Sequence, residues 1–434
     1  MLPAADGEIA KERAHKVKPS KPLYAQVDGD GRLVLPPELA TRYGIRPGAR
    51  VLVDEGANSF SLLRPAHLAK LYIEPTNQCN LNCRTCIRNV WEEPLGKMSD
   101  TAFDRVIEGL SAFSPPPTVF FGGLGEPLYH PRIAELVARS KELGARVEII
   151  TNGTLLTADL SRELLAAGID MLWVSLDGAT PESYADIRLG AALPQVIENI
   201  AHFRDAINAE VRGGCCGWMP KFNAQLGIEF VAMKRNIADL PAVLNLGRQL
   251  GVKRFIVTNV LPYTEEMSNE TLYSGALAYN PYPHLSLPRI NESEITSDPL
   301  SQAMRRMNMT WAGSNPQSAK DHCPFIESGA GAVGWDGSLS PCLPLLHSHV
   351  SFPLGRERFS RRWTIGNVTE NSLADLWNTP EHIAFRERLQ TFDFPPCVLC
   401  GGCELAEKNE EDCEGNVFPT CGGCLWSQGV IQCP

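Results

Sequence analysis

Three cysteines close together carry the strongest chemical signal in this 434-residue chain: Cys79, Cys83 and Cys86, in the run Cys79-Asn80-Leu81-Asn82-Cys83-Arg84-Thr85-Cys86. Three thiolates at this C-x3-C-x2-C spacing can hold three irons of a 4Fe–4S cluster, a group that usually takes four protein thiolates. With no fourth cysteine nearby, one iron keeps an open position, and an open metal position is where a substrate or cosubstrate binds. A zinc knuckle and a set of inert buried thiols are the alternatives that the spacing alone leaves standing.

A second set of thiols lies far downstream. Cys323, Cys342, Cys397, Cys400, Cys403, Cys413, Cys421, Cys424 and Cys433 are nine of the 14 cysteines. Two full 4Fe–4S clusters need eight thiolates, so two auxiliary clusters are expected, with a pairing that the spacing does not fix. Cys215 and Cys216 are adjacent and poorly suited to sharing one cluster. In a long chain without an apolar signal core, clustered cysteine favours metal over disulfides. A reducing cytoplasm with little oxygen is the expected setting.

The elements that must position these groups are readable. Leu71–Glu74, Val119–Phe121, Val147–Thr151, Leu172–Leu176, Ile228–Met233 and Phe255–Asn259 are apolar runs of strand length. Amphipathic helical stretches lie between them. Ser99, Thr157 and Thr180 are placed to cap helices, and Gly144, Gly168 and Gly251 to close them. Such alternation predicts a parallel sheet with right-handed crossovers. Sites on parallel α/β folds gather at the C-terminal strand ends, where the three-cysteine loop falls. Residues 262–322 show weak periodicity and predict a bridge over the barrel mouth. Ahead of the barrel, residues 24–64 predict two short hairpins separated by a helix opening at Pro36-Pro37. The domain expectation is a tail over 1–22, a β module over 23–65, the barrel over 66–262, the bridge over 263–322 and a cysteine-rich domain over 323–434.

The totals narrow the function. The chain is 44% hydrophobic and 21% charged, ordinary for a globular protein. No run is long and apolar enough to predict a membrane span. A net charge of −10 gives no general electrostatic case for nucleic acid.

The three-cysteine loop resembles that of the radical S-adenosylmethionine (SAM) superfamily, in which the methionyl end of SAM fills the open iron site. Phe121-Gly122-Gly123-Leu124-Gly125-Glu126-Pro127 resembles the superfamily's Gly-Glu stretch, whose backbone holds the SAM amino group. Thr151-Asn152-Gly153 and Ser175-Leu176-Asp177-Gly178 end the third and fourth strands, where the family binds the ribose and methionyl portions. The resemblance thus implies an α/β partial (βα)6 barrel and a SAM site built from Gly125, Glu126, Asn152, Ser175, Asp177 and Arg188. Arg188 is the implied partner of the SAM carboxylate, since a guanidinium fork matches it. Thr85 departs from the aromatic residue the family commonly has there. Val257, Asn259 and Leu261 are candidates for adenine contacts.

Cys323 with Gly337-Ser338-Leu339-Ser340-Pro341-Cys342, and Gly366-Asn367-Val368 before Ser372–Trp377, resemble the SPASM extension. Pro75–Cys79, Asn259–Tyr263 and Pro419–Gly429 with Cys433-Pro434 resemble the tungsten-cofactor oxidoreductase radical SAM maturases. Residues 31–48 resemble an AbrB/MazE/SpoVT-type swapped-hairpin module, implying homodimerisation or docking ahead of DNA binding. The implied activity is reductive cleavage of SAM to a 5′-deoxyadenosyl radical that abstracts hydrogen from a substrate. The implied partners are a ferredoxin- or flavodoxin-like donor and a tungsten oxidoreductase or its pterin cofactor. A maturase of a ribosomally made peptide is the alternative within the same chemistry, and a DNA-binding redox regulator the alternative outside it.

Overall fold

The computed structural model describes residues 24–37, 52–55, 60–63, 67–213, 217–220, 222–273, 285–286, 290–291, 293–306, 323–397 and 403–434. They form two compact units that divide after Pro65. In the first, β1 (Gln26–Val27) pairs with β2 (Leu33–Val34), and β3 (Leu52–Glu55) with β4 (Phe60–Leu63), both antiparallel. The Asp28 carboxylate accepts from the Asp30 and Arg32 N–H groups and fixes the first turn. Most of the expected helix, with Gly44 to Gly48, lies outside the described residues.

The second unit is built on six parallel strands. They are β5 (Lys70–Ile73), β6 (Thr118–Phe121), β7 (Val147–Thr151), β8 (Met171–Ser175), β11 (Gln225–Ala232) and β12 (Arg254–Asn259), neighbours in that order. Each matches an apolar run expected from the sequence. The helices Asp100–Leu110, Ile133–Glu142, Ala158–Ala166 and Pro181–Ile187 follow the first four strands, and Ser99, Thr157 and Thr180 cap three of them through their hydroxyls. A hairpin of β9 (Glu210–Gly213) and β10 (Gly217–Pro220) precedes β11; Cys215 and Cys216 lie outside the described residues.

Strand periodicity divides the core into two faces. Leu71, Ile73, Val119, Phe121, Leu172, Val174 and Val257 pack outward against the helices. Tyr72, Phe120, Met171, Trp173 and Ile256 face inward and pack with Cys323, Phe325 and Cys342 of the C-terminal region. The barrel interior is therefore filled from the far end of the sequence. That region also extends the sheet. β13 (Leu285–Ser286) pairs with β12. β14 (Ala330–Val333) runs parallel to β5, and β15 (Ser338–Ser340) and β18 (Gly366–Asn367) continue from it antiparallel, giving ten strands. β16 (His349–Ser351) and β17 (Arg358–Ser360) form a separate pair. The stretch expected as a featureless bridge contains helices Glu265–Ser268 and Glu294–Arg306. Pro299 inside the second hid its periodicity.

Candidate active site and iron–sulfur centres

The three-cysteine loop leaves the C-terminal end of β5 and is held by its neighbours. The Asn82 and Arg84 N–H groups donate to the carbonyls of Leu189 and Ile187 (3.3 and 3.0 Å), at and just past the end of helix Pro181–Ile187. Asn89 Nδ2 donates to the Cys83 carbonyl (2.7 Å) and Arg88 to that of Leu81 (3.3 Å). The Leu81 N–H points at Cys79 Sγ (3.4 Å). Burial pushes the Cys86 thiol up to about 11, and raises Cys79 and Cys83 as well. Cys79 also feels the charge of Cys83, and Cys86 that of both Cys83 and Cys79. Enclosed thiols in mutual reach ionise together only against concentrated positive charge, and an iron cluster supplies it. This donor set fits a 4Fe–4S cluster.

The expected SAM residues converge around this loop. A side chain at Gly125 would collide with the backbone carbonyl oxygens of Thr76 and Gln78, so glycine is required where the β6 loop meets the β5 loop. Glu126 is buried, and its carboxylate accepts from the Asn152 N–H (2.7 Å), Thr151 hydroxyl (2.7 Å) and Leu128 N–H (3.0 Å). Its side chain therefore braces the ends of β6 and β7 against each other. Asn152 Nδ2 donates to Asn80 (3.0 Å) and approaches Cys79 Sγ (3.9 Å). Ser175 donates to Glu229 on β11 (3.3 Å). Burial, then the charge of Asp177, raises the Glu229 carboxyl to about 7 despite Arg188 and Ser175. Glu229 escaped the sequence reading, although a glutamate inside Ile228-Glu229-Phe230 is the expected mark of a polar group turned inward.

Arg188 and Asp177 are already engaged. The Arg188 guanidinium donates through Nε (2.7 Å) and meets Asp177 again through Nη2 (2.6 Å), and Asp177 also accepts from the Val231 N–H (2.8 Å). Asp177 is fully buried. Arg188 also lies within electrostatic reach of Cys83. Asp177 thus holds Arg188 against a cluster cysteine, with part of the guanidinium still accessible. Of the three adenine candidates, Val257 is buried on the outer face. Asn259 donates to the Val430 carbonyl (3.0 Å), and Leu261 packs beside Leu425.

His347 and His349 are both enclosed. His347 joins Glu74 (2.9 Å) and Glu93 (2.5 Å) through its two ring nitrogens. Burial alone would lower its pKa; the two carboxylates outweigh that and hold it at about 9, as an imidazolium. Glu74 accepts in turn from the Leu124 N–H (2.9 Å). One cation therefore ties the C-terminal region to the strand before the cluster loop, the segment after it and the glycine-rich loop. Burial lowers His349 to about 4, so it is neutral.

The downstream thiols gather by geometry rather than by sequence order. Cys323, Cys342, Cys421 and Cys424 line one cavity and interact electrostatically. Cys397 instead has Cys413 and Cys403 as thiol neighbours; Cys400 lies outside the described residues. The Arg358 guanidinium is buried and feels Cys424, Cys397 and Cys421, members of both groups. Nothing in its sequence context marked it. Burial raises the thiols of the first group, as in the three-cysteine loop, and four such thiols suit a 4Fe–4S cluster. Cys433 stands beside Trp426, Glu229 and Lys70.

Comparison with known proteins agrees with this architecture. Residues 73–218 match the Radical SAM superfamily model, and residues 323–404 match an iron–sulfur cluster-binding domain, SPASM. The AdoMet-dependent heme synthase of Nitratidesulfovibrio vulgaris is 30% identical over 77% of this chain and 87% of that protein. A crystal structure of Streptococcus suis SuiB bound to its precursor peptide SuiA shares the fold, with a TM-score of 0.51 at 16% identity, covering 79% of this chain and 72% of that one. The tungsten-containing aldehyde ferredoxin oxidoreductase cofactor-modifying protein of Pyrococcus furiosus is 30% identical over 372 residues, 84% of this chain and 96% of that protein. With its three-cysteine loop, the polar strand ends gathered around it and the downstream thiols, the chain belongs to the radical SAM superfamily, in the SPASM-bearing family of that cofactor-modifying protein.

Proposed function

We propose that this radical SAM enzyme modifies the cofactor of a tungsten-containing oxidoreductase. The observation that carries this reading is the similarity to the Pyrococcus furiosus cofactor-modifying protein over 96% of that protein's length. When bound, the cluster supplies the electron that splits SAM into methionine and a 5′-deoxyadenosyl radical.

The protein's own residues supply placement. Cys79, Cys83 and Cys86 hold three irons. Gly125 lets the glycine-rich loop close on the cluster loop, with Glu126 bracing it. Arg188, held by Asp177, presents its remaining guanidinium surface to the SAM carboxylate. Ser175 and Glu229 would face the ribose of bound SAM, and Asn152 would secure the cluster loop beside it. Cys323, Cys342, Cys421 and Cys424 would hold one auxiliary cluster and Cys397, Cys400, Cys403 and Cys413 a second, with Arg358 beside thiols of both sets. Its buried positive charge favours their reduced states. A low-potential donor such as a ferredoxin or flavodoxin supplies electrons. The N-terminal hairpin unit serves dimerisation or docking.

The test is deletion of the gene in a host that makes a tungsten oxidoreductase. The oxidoreductase purified from the deletion strain is expected to keep its tungsten but to lack activity, with a cofactor of altered mass. Full activity with an unaltered cofactor mass would remove the tungsten enzyme from the proposal.

A further inference from the structure

The geometry leaves one of the nine downstream thiols without a group. Four line one cavity, Cys397, Cys403 and Cys413 gather elsewhere, and Cys400 lies in sequence between two of these. Cys433 has surroundings of another kind. The segment Val430–Pro434 crosses the barrel interior. At one side, Asn259 donates to the Val430 carbonyl (3.0 Å) and the Gln432 N–H donates to the Thr258 hydroxyl (2.9 Å), both on β12. At the other, Lys70 and the Tyr72 hydroxyl (2.9 Å), both on β5, donate to the Pro434 carbonyl. β5 and β12 are the first and sixth barrel strands, so the segment spans the barrel's open side.

Between these anchors the Trp426 indole N–H donates to Cys433 Sγ (3.2 Å). That contact uses the sulfur as acceptor; among the described residues, no hydrogen bond uses its S–H. The ionisable neighbours are Glu229, which also receives Ser175, Lys70, and Cys424 of the first thiol group. Tyr263 provides a second, independent observation. It lies deep in the protein, its hydroxyl has no hydrogen-bond partner among the described residues, and the ionisable groups it feels are Cys86 of the cluster loop and Cys433. Tyr263, Glu229 and Cys433 are all largely enclosed yet keep accessible surface, so each borders interior space, and Tyr263 and Glu229 both lie within electrostatic reach of Cys433. A polar space beside the cluster loop, walled by an unpartnered hydroxyl and a free S–H, is where a radical would meet its substrate.

We propose that Cys433 is a catalytic thiol of this interior space, donating a hydrogen atom to a carbon-centred radical formed there, and is not an iron ligand. The proposal rests on the family's radical chemistry and not on the identity of the substrate. In the step, the S–H bond of Cys433 breaks as a C–H bond forms, leaving a thiyl radical and moving no net charge. An S–H bond is weaker than an ordinary C–H bond, so the transfer runs downhill. One electron from the low-potential donor that SAM cleavage already requires, with one proton, restores the thiol. Lys70 is the adjacent ammonium.

The experiment needs no substrate. The anaerobically reconstituted full chain is given SAM and dithionite in D2O, without thiol reductants. The 5′-deoxyadenosine formed is analysed by mass spectrometry, and the deuterated fraction is taken per molecule formed. Total 5′-deoxyadenosine reports SAM cleavage; its deuterium content reports Cys433. The wild type is expected to transfer deuterium from the Cys433 S–D to C5′, and Cys433→Ala to lose that label. Iron and sulfide content is the second readout. Cys433→Ser is expected to match the wild type, whereas Cys424→Ala loses about four irons, the content of one cubane cluster. Unlabelled product from the wild type, label that persists in Cys433→Ala, or loss of about four irons in Cys433→Ser would each overturn the proposal. Label lost in Tyr263→Phe but kept in Cys433→Ala would give the role to Tyr263 instead.

Discussion

Arg188 shows what a sequence offers at the scale of one residue and what it withholds. Its position after the fourth strand suggested a partner for the SAM carboxylate. Its contacts add that Asp177 orients it and that Cys83 lies beside it. A charge held beside a cluster sulfur is one of the levers on reduction potential, so Arg188 acts on both the cosubstrate and the metal. Arg188→Lys keeps the charge but loses the fork. The variant is expected to bind SAM about 1–3 kcal/mol more weakly, roughly 5- to 150-fold, and to shift the radical cluster to a more negative potential. Calorimetric titration and an anaerobic redox titration by electron paramagnetic resonance measure the two effects. A weaker SAM affinity with an unmoved potential would show that the Cys83 contact is not kept in the loaded protein. The ligand cysteines were legible because short spacing forces them onto one loop. Glu229, Arg358 and Glu93 were not, because their partners are tens to hundreds of positions away.

At the scale of elements, the six barrel strands announce themselves because strands buried on both faces need uninterrupted apolar runs. The connection between the C-terminal region and the barrel could not be read, since it runs through His347, Glu74 and Glu93 on separate elements. That connection has a pH signature. The folded His347 titrates near 9, above the usual value of about 6.5 for an unfolded chain. A raised cationic pKa stabilises fully below the unfolded value and fades as pH climbs through the folded one. The shift corresponds to about 3 kcal/mol at 1.36 kcal/mol per unit. His347→Gln is therefore expected to be about 3 kcal/mol less stable than the wild type at pH 6, with the gap shrinking as pH rises towards 9.5. Anaerobic unfolding of the reconstituted proteins across this range measures the gap, and a gap independent of pH would show that His347 is uncharged between its carboxylates. Helix Glu294–Arg306 was illegible for a different reason: Pro299 and a run of small polar residues mimic a loop.

At the scale of the whole molecule, three clusters imply roughly twelve irons per chain, four for each cubane. Cys83→Ala, Cys424→Ala and Cys413→Ala are each expected to remove about four without disturbing the others, and only the first abolishes SAM cleavage outright. Iron and sulfide analysis with 5′-deoxyadenosine assay checks all three, and a wild-type plateau near four irons would mean that the downstream thiols hold something else. The sequence identified these thiols but not their grouping, because grouping follows from how Cys323 and Cys342 are folded against Cys421 and Cys424. The crossing of the interior by Val430–Pro434 also bears on the order of assembly. Tyr72 and its acceptor on Pro434 are separated by 362 positions. Synthesis delivers β5 long before that acceptor, and contacts this distant in sequence form slowly. The first strand therefore waits, its inner face wet, until the far segment docks between it and β12. Docking shuts the interior, so the period before it is the natural window in which iron and sulfide reach the cluster loop.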